Sequence, residues 1–351
     1  MGGGPIFPMS STSRAWFVDR YGGPEQLQLR MRPDAAPGPG EVLIRTAAIG
    51  LNFADLFVRA GAYPRTPRPP FVPGMEISGT VEALGDAEGV GELAPGRPVV
   101  AVPLFGGHAE KVVVPATRVF PLPDGVDLVD AAAVPVVFLT AWYARERAQV
   151  AANERIVVTA AAGGVGTALL QLLAERGAKT VALVGSEAKL ALCRQLGAAE
   201  AGLYDAAELL IGRAFGGRAD VVIDAIGGRL FRRLWRRLEP GGRYVLYGFA
   251  AASGERGVAR LKAARELLAM GLFSPYGFVQ ACRTLIGFNL SLLPDKTGEL
   301  QGAAQELLEA WKAGRIRPIL GPRFTFERLP DAHRALAGRG TTGKVVITVA
   351  G

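Results

Sequence analysis

Residues 155–166 read Arg-Ile-Val-Val-Thr-Ala-Ala-Ala-Gly-Gly-Val-Gly, and this segment is the strongest indication of the fold in the sequence. Its first part, Arg155–Thr159, has the apolar, β-branched composition of a buried strand. A segment of helical length, Thr167–Arg176, follows the glycines. The residues therefore predict a strand, a tight turn and a helix, which is the first half of a βαβ unit.

The turn between this strand and this helix has the frame Ala-x-x-Gly-x-x-Gly. At that position in a βαβ unit, the pattern indicates a site for the pyrophosphate of a dinucleotide. The first two glycines let the backbone approach the phosphates, and the third lets helix and strand pack closely. The free N–H groups at the helix N-terminus face the phosphates. The predicted contacts are Ala162, Gly163, Gly164, Val165 and Gly166.

The pattern of apolar, glycine and proline residues changes along the chain. From Ala15 to about Ala133, short alternating runs are broken by glycine and proline, which predicts an antiparallel, barrel-like β domain. After Ala133, strand-like and helix-length runs alternate, which predicts an α/β, doubly wound parallel sheet. After about Leu285 the strand-like pattern of the first part returns. We therefore expect a disordered lead-in over 1–14, a β domain over 15–133 with 287–351, and a nucleotide-binding domain over 134–286.

Length and composition are consistent with this division. The chain has 351 residues, enough for two domains. Its 46 glycines and 24 prolines lack a repeating period, which excludes collagen and wholesale disorder. Two cysteines, Cys193 and Cys282, cannot form a disulfide framework or a four-thiolate zinc site. Met1–Ser13 lacks the features of a signal peptide, and the glycines interrupt the uncharged window Ile156–Ala174. We expect a cytoplasmic protein without a membrane span.

The net charge of +8 is concentrated in one segment, Arg229–Arg243, which carries six arginines and one glutamate. Its apolar residues recur at helical spacing, with arginines on the other face. We predict one helix here, either a solvated surface or a docking face for an acidic partner. Aromatic and basic residues do not alternate along the chain, so we expect no nucleic-acid partner.

The end of the second strand of the parallel sheet selects the cofactor. An NAD site places a carboxylate there, to bind the ribose hydroxyls. This chain has Ser186 and Lys189, a hydroxyl and a cation that suit a 2′-phosphate, whereas Glu187 argues for the other cofactor. The balance of these side chains predicts NADPH.

The chain resembles the medium-chain dehydrogenase/reductase superfamily over nearly its whole length. Within it, the chain is similar to the zinc-free quinone oxidoreductase branch, which includes zeta-crystallin, vesicle amine transport protein homologues and polyketide enoyl reductase domains. The segments that carry the resemblance are Gly50–Asp55, Pro73–Glu76, Leu139–Trp142, Ala161–Gly166, Gly287–Leu290 and Gly343–Val346.

This resemblance implies a GroES-like β-barrel catalytic domain joined to a Rossmann-type domain. It also implies a homodimer formed through edge strands of the Rossmann domain. Asn52 would lie near the nicotinamide and bond the cofactor ribose or a substrate carbonyl. The other cofactor contacts implied are Thr140, Tyr204, Gly248, Phe249, Phe288, Leu290 and Lys344.

Two departures from related enzymes, the first from the zinc alcohol dehydrogenases, bear on the chemistry. Where those enzymes place catalytic Cys and His ligands, this chain has Asn52 and Met75, which supply neither thiolate nor imidazole. We therefore expect no metal, and hydride addition to an activated double bond rather than alcohol oxidation. The tyrosine that some relatives carry one turn after Asn52 is absent, so Tyr63 is the nearest phenol and a candidate catalytic residue.

Three functions fit these residues. The first is an NADPH-dependent reductase of a small quinone or α,β-unsaturated carbonyl compound, with Asn52 and Tyr63 at the reacting centre. The second is an enoyl-thioester reductase whose acidic acyl carrier protein docks at Arg229–Arg243. The third is a non-catalytic protein that binds NADPH. His108 and His333 are expected to be structural, the latter on a C-terminal helix.

Overall fold

The computed structural model of the protein describes residues 11–85, 93–252, 258–293 and 297–349. The first part of the chain is mostly β-structure, as expected. Its strands are β1 (Thr12–Val18), β2 (Leu27–Pro33), β3 (Glu41–Leu51), β4 (Ile77–Leu84), β5 (Pro98–Ala101), β6 (Lys111–Pro115) and β7 (Val119–Pro121). Three helices accompany them: α1 (Phe53–Ala60), α2 (Leu128–Ala131) and α3 (Pro135–Arg147).

The second part of the chain forms a parallel sheet. Its strands are β8 (Arg155–Thr159), β9 (Lys179–Val184), β10 (Glu200–Leu203), β11 (Ala219–Asp224), β12 (Leu238–Leu246) and β13 (Thr284–Gly287). They lie in the order β10-β9-β8-β11-β12-β13, which places the predicted strand β8 near the centre. The helices of this part are α4 (Gly164–Glu175), α5 (Leu190–Gln195), α6 (Ala207–Phe215), α7 (Gly228–Trp235), α8 (Val258–Met270) and α9 (Pro275–Ala281). The expected doubly wound α/β architecture is confirmed.

The last part of the chain adds two strands to the sheet that contains β3. It consists of α10 (Thr297–Lys312), β14 (Leu320–Thr325), α11 (Leu329–Ala337) and β15 (Lys344–Thr348). The strand β15 pairs antiparallel with β3 and parallel with β14, so the first and last parts of the chain share one sheet. Gly343, just before β15, donates its N–H to the carbonyl of Ala162 over 2.8 Å. The end of the chain is thereby attached to the glycine turn of the parallel sheet.

Two expectations about local structure need correction. The helix predicted over Arg229–Arg243 is confirmed as far as Trp235, where α7 ends, and is wrong beyond it: Arg243 lies in β12 and pairs with Glu154 over 2.5 Å. The predicted disordered lead-in covered residues 1–14. Residues 1–10 lie outside the described residues, but Thr12–Arg14 belongs to β1, where Thr12 pairs with Pro33. Pairing between strands decides the structure at both places.

Helices and cysteines of the described chain bear on two further expectations. None of the described helices has both the length and the apolar composition needed to cross a membrane. Cys193 is buried and Cys282 is exposed, and both are free thiols.

A buried polar cluster lies in the core of the β domain. His333 on α11 accepts a hydrogen bond through Nδ1 from the Arg59 guanidinium at 2.9 Å, and its ring meets that of His108 edge-on at 5.5 Å. Both histidines are 0% exposed, and both ring nitrogens of His108 lack a partner among the described residues. Burial, together with the neighbouring guanidinium, lowers the pKa of His108 to about 3 and that of His333 well below its usual range.

These histidines predict a loss of stability in acid. A histidine whose pKa is lowered by folding stays neutral in the folded state, while the unfolded chain takes up a proton below its ordinary pKa of about 6.5. Stability is therefore complete above about pH 6.5 and should fall as the pH approaches 3, by about 1.4 kcal/mol per pH unit for each histidine. Urea unfolding at several pH values measures this slope.

The matched comparison is His108→Leu, which removes one of the two titrating groups. Its free energy of unfolding should fall less steeply between pH 6 and pH 4 than that of the wild type. Equal slopes for the two proteins would show that His108 is not the group that binds the proton.

Candidate active site

A cavity of about 1070 Å³ lies between the parallel sheet and the β domain. All the site residues predicted from the sequence line it, with the exception of Ser186, which is exposed and lies off the cavity wall. The lining residues among them are Asn52, Tyr63, Thr140, Ala162, Gly163, Gly164, Val165, Gly166, Lys189, Tyr204, Gly248, Phe249, Phe288, Leu290 and Lys344. This volume is slightly above the usual range of about 300–1,000 Å³ for small-molecule sites and suits a large ligand.

The glycine turn forms one wall of this cavity, and α4 begins at Gly164. A Cβ on Gly163 would meet only the Ala160 carbonyl, at 3.3 Å, so this face of the turn is open. A Cβ on Gly166 would lie 2.3 Å from the same carbonyl oxygen, which forces glycine at this point. The open turn and the N-terminus of α4 together form a cradle that fits a pyrophosphate.

The wall near the end of β9 is basic. The Lys189 ammonium donates to the carbonyl of Arg339 at 2.7 Å, and both residues line the cavity together with Tyr204. Burial raises the pKa of Tyr204 to about 12 and lowers that of Lys189. The predicted hydroxyl of Ser186 is absent from this wall, whereas Arg339 was missed because it lies on a loop without a recognisable pattern. The wall fits a phosphate monoester through two cations and a phenol.

The loop after β11 is positioned by a buried carboxylate. Asp224 is 0% exposed and accepts hydrogen bonds from the Thr159 hydroxyl at 2.6 Å, from the N–H groups of Ile226 and Gly227, and from the Tyr244 hydroxyl at 2.7 Å. Ile226 and Gly227 line the cavity. Asp224 therefore sets the shape of the cavity wall beside the glycine turn, on the side of β8 away from β9.

The floor of the cavity contains a buried charged network. The Lys344 ammonium lies 2.5 Å from Glu76 Oε2 and donates to Asn52 Oδ1 at 2.5 Å. The Asn52 amide donates to Glu76 Oε2 at 3.1 Å and to the Gly50 carbonyl at 3.2 Å. Lys344 is 3% exposed and Glu76 is 0% exposed. Sequence reasoning identified Asn52 and Lys344, but it assigned no role to Glu76.

A second carboxyl group supports Asn52 from below. Asp55 Oδ2 accepts the Asn52 backbone N–H at 2.8 Å, and its other oxygen has no partner among the described residues. Burial raises the pKa of Asp55 to about 7, against the opposing effects of the Asn52 N–H and of Lys344. Asp55 belongs to the first turn of α1 and holds Asn52 at the helix N-terminus.

Two further predicted residues on the cavity wall are Tyr63 and Phe288. The Tyr63 hydroxyl donates to Asn289 Oδ1 at 2.8 Å and lies 3.1 Å from the Ser291 hydroxyl. Burial raises the pKa of Tyr63. The ring of Phe288 stacks on that of Tyr247, with 6.2 Å between the ring centroids. Tyr63 is therefore engaged by the loop after β13, so its proton is held by Asn289.

The position of catalytic zinc in related enzymes has the wrong ligands here. Asn52 and Met75 both line the cavity, but an amide and a thioether are poor zinc ligands. The Asn52 amide is also engaged by Glu76 and Lys344. In the part of the chain that the structure describes, no three side chains of His, Cys, Asp or Glu are grouped to hold a metal ion. The residues present do not fit zinc.

Two family models match the chain. Residues 38–124 match the alcohol dehydrogenase GroES-like domain, and residues 196–347 match the model described as zinc-binding dehydrogenase. Two relatives with similar sequences match nearly the whole chain. The human synaptic vesicle membrane protein VAT-1 homolog is 31% identical, over 95% of this chain and 86% of that protein. The quinone oxidoreductase of Pseudomonas aeruginosa is 34% identical, over 93% of this chain and 97% of that protein.

Solved structures with the same architecture include two quinone oxidoreductases studied with NADPH. That of Thermus thermophilus is 36% identical with a TM-score of 0.79, over 95% of this chain and 99% of that chain. That of Escherichia coli, in complex with NADPH, is 26% identical with a TM-score of 0.84, over 96% of this chain and 100% of that chain.

Proposed function

The chain belongs to the quinone oxidoreductase branch of the medium-chain dehydrogenase/reductase superfamily, and on that premise we propose that it is an NADPH-dependent reductase. Its substrate class is quinones and other carbonyl compounds with an activated double bond. The observation that carries the proposal is a single cavity that joins the open glycine turn to the buried network of Asn52, Glu76 and Lys344.

NADPH, when bound, supplies the hydride. The protein's part is to bind, orient and exclude water. The turn at Gly163–Gly166 would hold the pyrophosphate, and Lys189, Tyr204 and Arg339 would hold the 2′-phosphate. Apolar side chains such as Phe57 and Phe288 would keep water from the electrophilic carbon. No step of this reaction uses zinc, which agrees with the presence of Asn52 and Met75, whose side chains are poor zinc ligands.

A direct assay tests the proposal. The purified protein is mixed with NADPH and with each of several acceptors, such as 1,4-benzoquinone and 2-cyclohexenone, and the loss of NADPH absorbance is recorded. Turnover with at least one acceptor is expected. NADPH binding without turnover across the panel would instead favour the alternative of a non-catalytic binding protein.

Lys189 should determine the preference for NADPH. Its ammonium is held at the basic wall by the Arg339 carbonyl, and a charge-assisted bond to a phosphate is lost when the cation is removed. Lys189→Met should lower kcat/KM for NADPH at least about tenfold, equivalent to about 1.4 kcal/mol, and leave the value for NADH unchanged. Initial rates with both cofactors measure the change.

The control for this variant is Lys179→Met, because Lys179 is an exposed lysine at the start of β9. It should leave both values unchanged. A wild type that prefers NADH, or a Lys189→Met variant that keeps its NADPH preference, would contradict the predicted 2′-phosphate site.

The alternative function, reduction of an enoyl thioester on an acyl carrier protein, is weakened by the ion pairs that the arginines of 229–243 form. Arg233 is paired with Glu208 at 2.6 Å, Arg243 with Glu154, and Arg229 lies near Glu266. These pairs reduce the charge that an acidic carrier protein could contact. The experiment compares turnover of a carrier-bound enoyl substrate with that of the free thioester. If the carrier-bound substrate reacted faster, and charge reversal at Arg232 abolished the difference, the carrier-dependent function would be favoured over reduction of free substrates.

We also propose that the protein is a homodimer, joined at the open edge of the parallel sheet. The strand β13 ends that sheet, and its outer edge has no partner among the described residues. Nine of the eleven exposed large apolar residues in the described chain lie between Leu261 and Leu292. Residues 267–282 contain no charged side chain, which is typical of the core of a protein interface.

A pair of charges in this apolar surface should dissociate the dimer. Leu268 on α8 is 77% exposed and Leu272 is fully exposed. The double variant Leu268→Glu/Leu272→Glu would bury four like charges across a twofold axis, so it should be monomeric in sedimentation or light-scattering experiments. Leu209→Glu, at an apolar residue that is 63% exposed elsewhere, should stay dimeric. A monomeric wild type would refute the assembly.

A further inference from the structure

We propose that the Lys344 ammonium holds the carbonyl oxygen of the substrate and stabilises the negative charge that develops there. The inference deepens the proposed reductase function and rests on it. It assigns to Lys344 a role toward the substrate, in place of the cofactor contact that sequence similarity implies. The evidence is a count of the donor hydrogens on Asn52, Lys344 and Tyr63 that are not used in hydrogen bonds within the protein.

Asn52 has no donor left for a ligand. A primary amide has two N–H groups, and those of Asn52 bond the Gly50 carbonyl and Glu76 Oε2. Its oxygen already accepts a hydrogen bond from Lys344. A carbonyl or enolate oxygen needs a donor, so Asn52 could bind it only by breaking a buried bond within the protein. The sequence-based choice of Asn52 as the carbonyl ligand is therefore less favourable.

Lys344 does have a donor left. An ammonium has three N–H groups, and two are used by Asn52 Oδ1 and Glu76 Oε2, each at 2.5 Å. No further partner lies among the described residues, and Lys344 lines the cavity. A substrate oxygen at the floor of the cavity would take the third N–H. The group is 3% exposed, so its charge is weakly screened by water.

Glu76 holds this ammonium in place. Glu76 Oε1 accepts the Val136 N–H at 2.6 Å, and Oε2 accepts bonds from Asn52 and Lys344. These contacts fix the position of the Lys344 ammonium at the cavity floor, where its remaining N–H would donate to a substrate oxygen. Glu76 is a positioning residue, because it acts through Lys344.

The course of the Lys344 side chain places its charge away from the phosphates. Its stem passes the glycine turn, since Cδ lies 3.6 Å from where a Cβ on Gly164 would be. Its ammonium ends between Asn52 and Glu76, on the β-domain side of the cavity. The apolar part of the Lys344 side chain therefore lies beside the phosphate cradle, and its ammonium lies at the cavity floor.

The reaction step balances with this assignment. Hydride from NADPH forms a bond to the β-carbon of the enone, and the electrons of the double bond move onto the carbonyl oxygen. The oxyanion is stabilised by Lys344. With an enone, a proton from water then bonds to the α-carbon and hydroxide is left in the solvent. With a quinone, the proton bonds to the oxyanion, and the ring carbon that received the hydride then passes one proton through water to the second oxygen, which gives the hydroquinone. The substrate gains two electrons, one hydride hydrogen and one proton, and the cofactor is oxidised.

Tyr63 is the other candidate anchor on the cavity wall. Its hydroxyl proton is donated to Asn289 Oδ1 at 2.8 Å, and Ser291 Oγ also lies at 3.1 Å. A phenol has a single proton, so Tyr63 would have to leave Asn289 to bind a substrate oxygen. Lys344 needs no such rearrangement.

The test uses the double variant Lys344→Met/Glu76→Gln. Lys344→Met alone leaves a buried carboxylate without its partner, which can prevent folding. The double variant removes both charges and keeps the side chains close to their original size. Lys312→Met, on the exposed side of α10, is the matched control. Circular dichroism and thermal unfolding first establish that each variant is folded.

Three measurements then follow for each protein: the NADPH dissociation constant, kcat and KM with 1,4-benzoquinone, and the affinity for 4-nitrophenolate in the presence of NADP⁺. The phenolate is a stable mimic of an enolate, and neutral nitrobenzene serves as its uncharged counterpart. The double variant should lose about 100-fold in kcat, the size of effect seen when one oxyanion donor is removed. It should also lose the preference for phenolate over nitrobenzene and keep its NADPH affinity.

The opposite results are distinct. A double variant with weakened NADPH binding and an unchanged phenolate preference would return Lys344 to the cofactor and overturn the inference. Unchanged kcat and unchanged phenolate preference would also overturn it. A wild type that binds phenolate through Lys344 but reduces no acceptor would refute the proposed function while supporting the anchor. A double variant that fails to fold is replaced by Glu76→Gln alone, which should weaken phenolate binding.

Discussion

Gly166→Ala is expected to destabilise the protein by at least about 3 kcal/mol and to weaken NADPH binding about 100-fold. The added Cβ would lie 2.3 Å from the Ala160 oxygen and 2.6 Å from Ala161 Cα. These are backbone atoms at the end of β8, so the clash can be relieved only by moving α4 away from the strand. Such a shift would displace the N–H groups that face the pyrophosphate. Urea unfolding and fluorescence titration with NADPH measure the two effects.

Gly163→Ala is the matched control within the same turn. Its φ of −80° is ordinary for alanine, and the nearest atom to the added Cβ is the Ala160 oxygen at 3.3 Å. The variant should unfold at nearly the wild-type urea concentration. It should still weaken NADPH binding, because the methyl group would lie on the open face that the phosphates approach. Equal destabilisation by both substitutions would show that close packing at Gly166 is not what the turn requires.

The parts of the fold that the sequence predicts well are those with local causes. The turn from Ala160 to Gly166 combines a buried strand, small residues and a helix within one short stretch, and each has its own pattern. The alternation of strands and helices after Ala133 predicts a parallel sheet for the same reason. Both expectations agree with the sheet order observed.

The error over Arg229–Arg243 has a physical cause. Apolar residues there occur at a spacing that fits a helix, and the segment also contains a strand whose pairing partner is distant in sequence. Leu238 pairs with Ala219 and Arg243 pairs with Val221 of β11. The backbone bonds to β11 and the burial of Leu238 and Tyr244 favour the strand after Trp235.

The network at the floor of the cavity could be predicted only in part, because its members are far apart in sequence. Asn52 and Lys344 are separated by 292 residues, and no local pattern indicates that they meet. The family resemblance implied a role for both, Asn52 toward the cofactor ribose or a substrate carbonyl and Lys344 toward the cofactor. Glu76 and Asp55 lay within segments that carried the resemblance, yet their importance follows from burial and from hydrogen bonds that only the folded chain has. Arg339 gave no signal at all.

Asp224→Asn is expected to lower the free energy of unfolding by about 4 kcal/mol. The carboxylate accepts bonds at one oxygen from Thr159 and Ile226, and at the other from Gly227 and Tyr244. An asparagine of the same shape keeps one acceptor and turns the other toward two donors as an NH₂ group. Two charge-assisted bonds are lost in a site that is 0% exposed, where water cannot replace them. Urea unfolding measures the loss.

Asp205→Asn separates this effect from a general change of charge at the cavity. Asp205 also lines the cavity, but its side chain is fully exposed and its nearest ion pair, with Arg233, spans 3.6 Å. Surface pairs of this kind contribute little, so the variant should unfold within about 0.5 kcal/mol of the wild type. If Asp224→Asn proved equally mild, the loop at Ile226–Gly227 would have to be held by its backbone alone. The cavity wall beside the glycine turn would then not depend on the buried carboxylate.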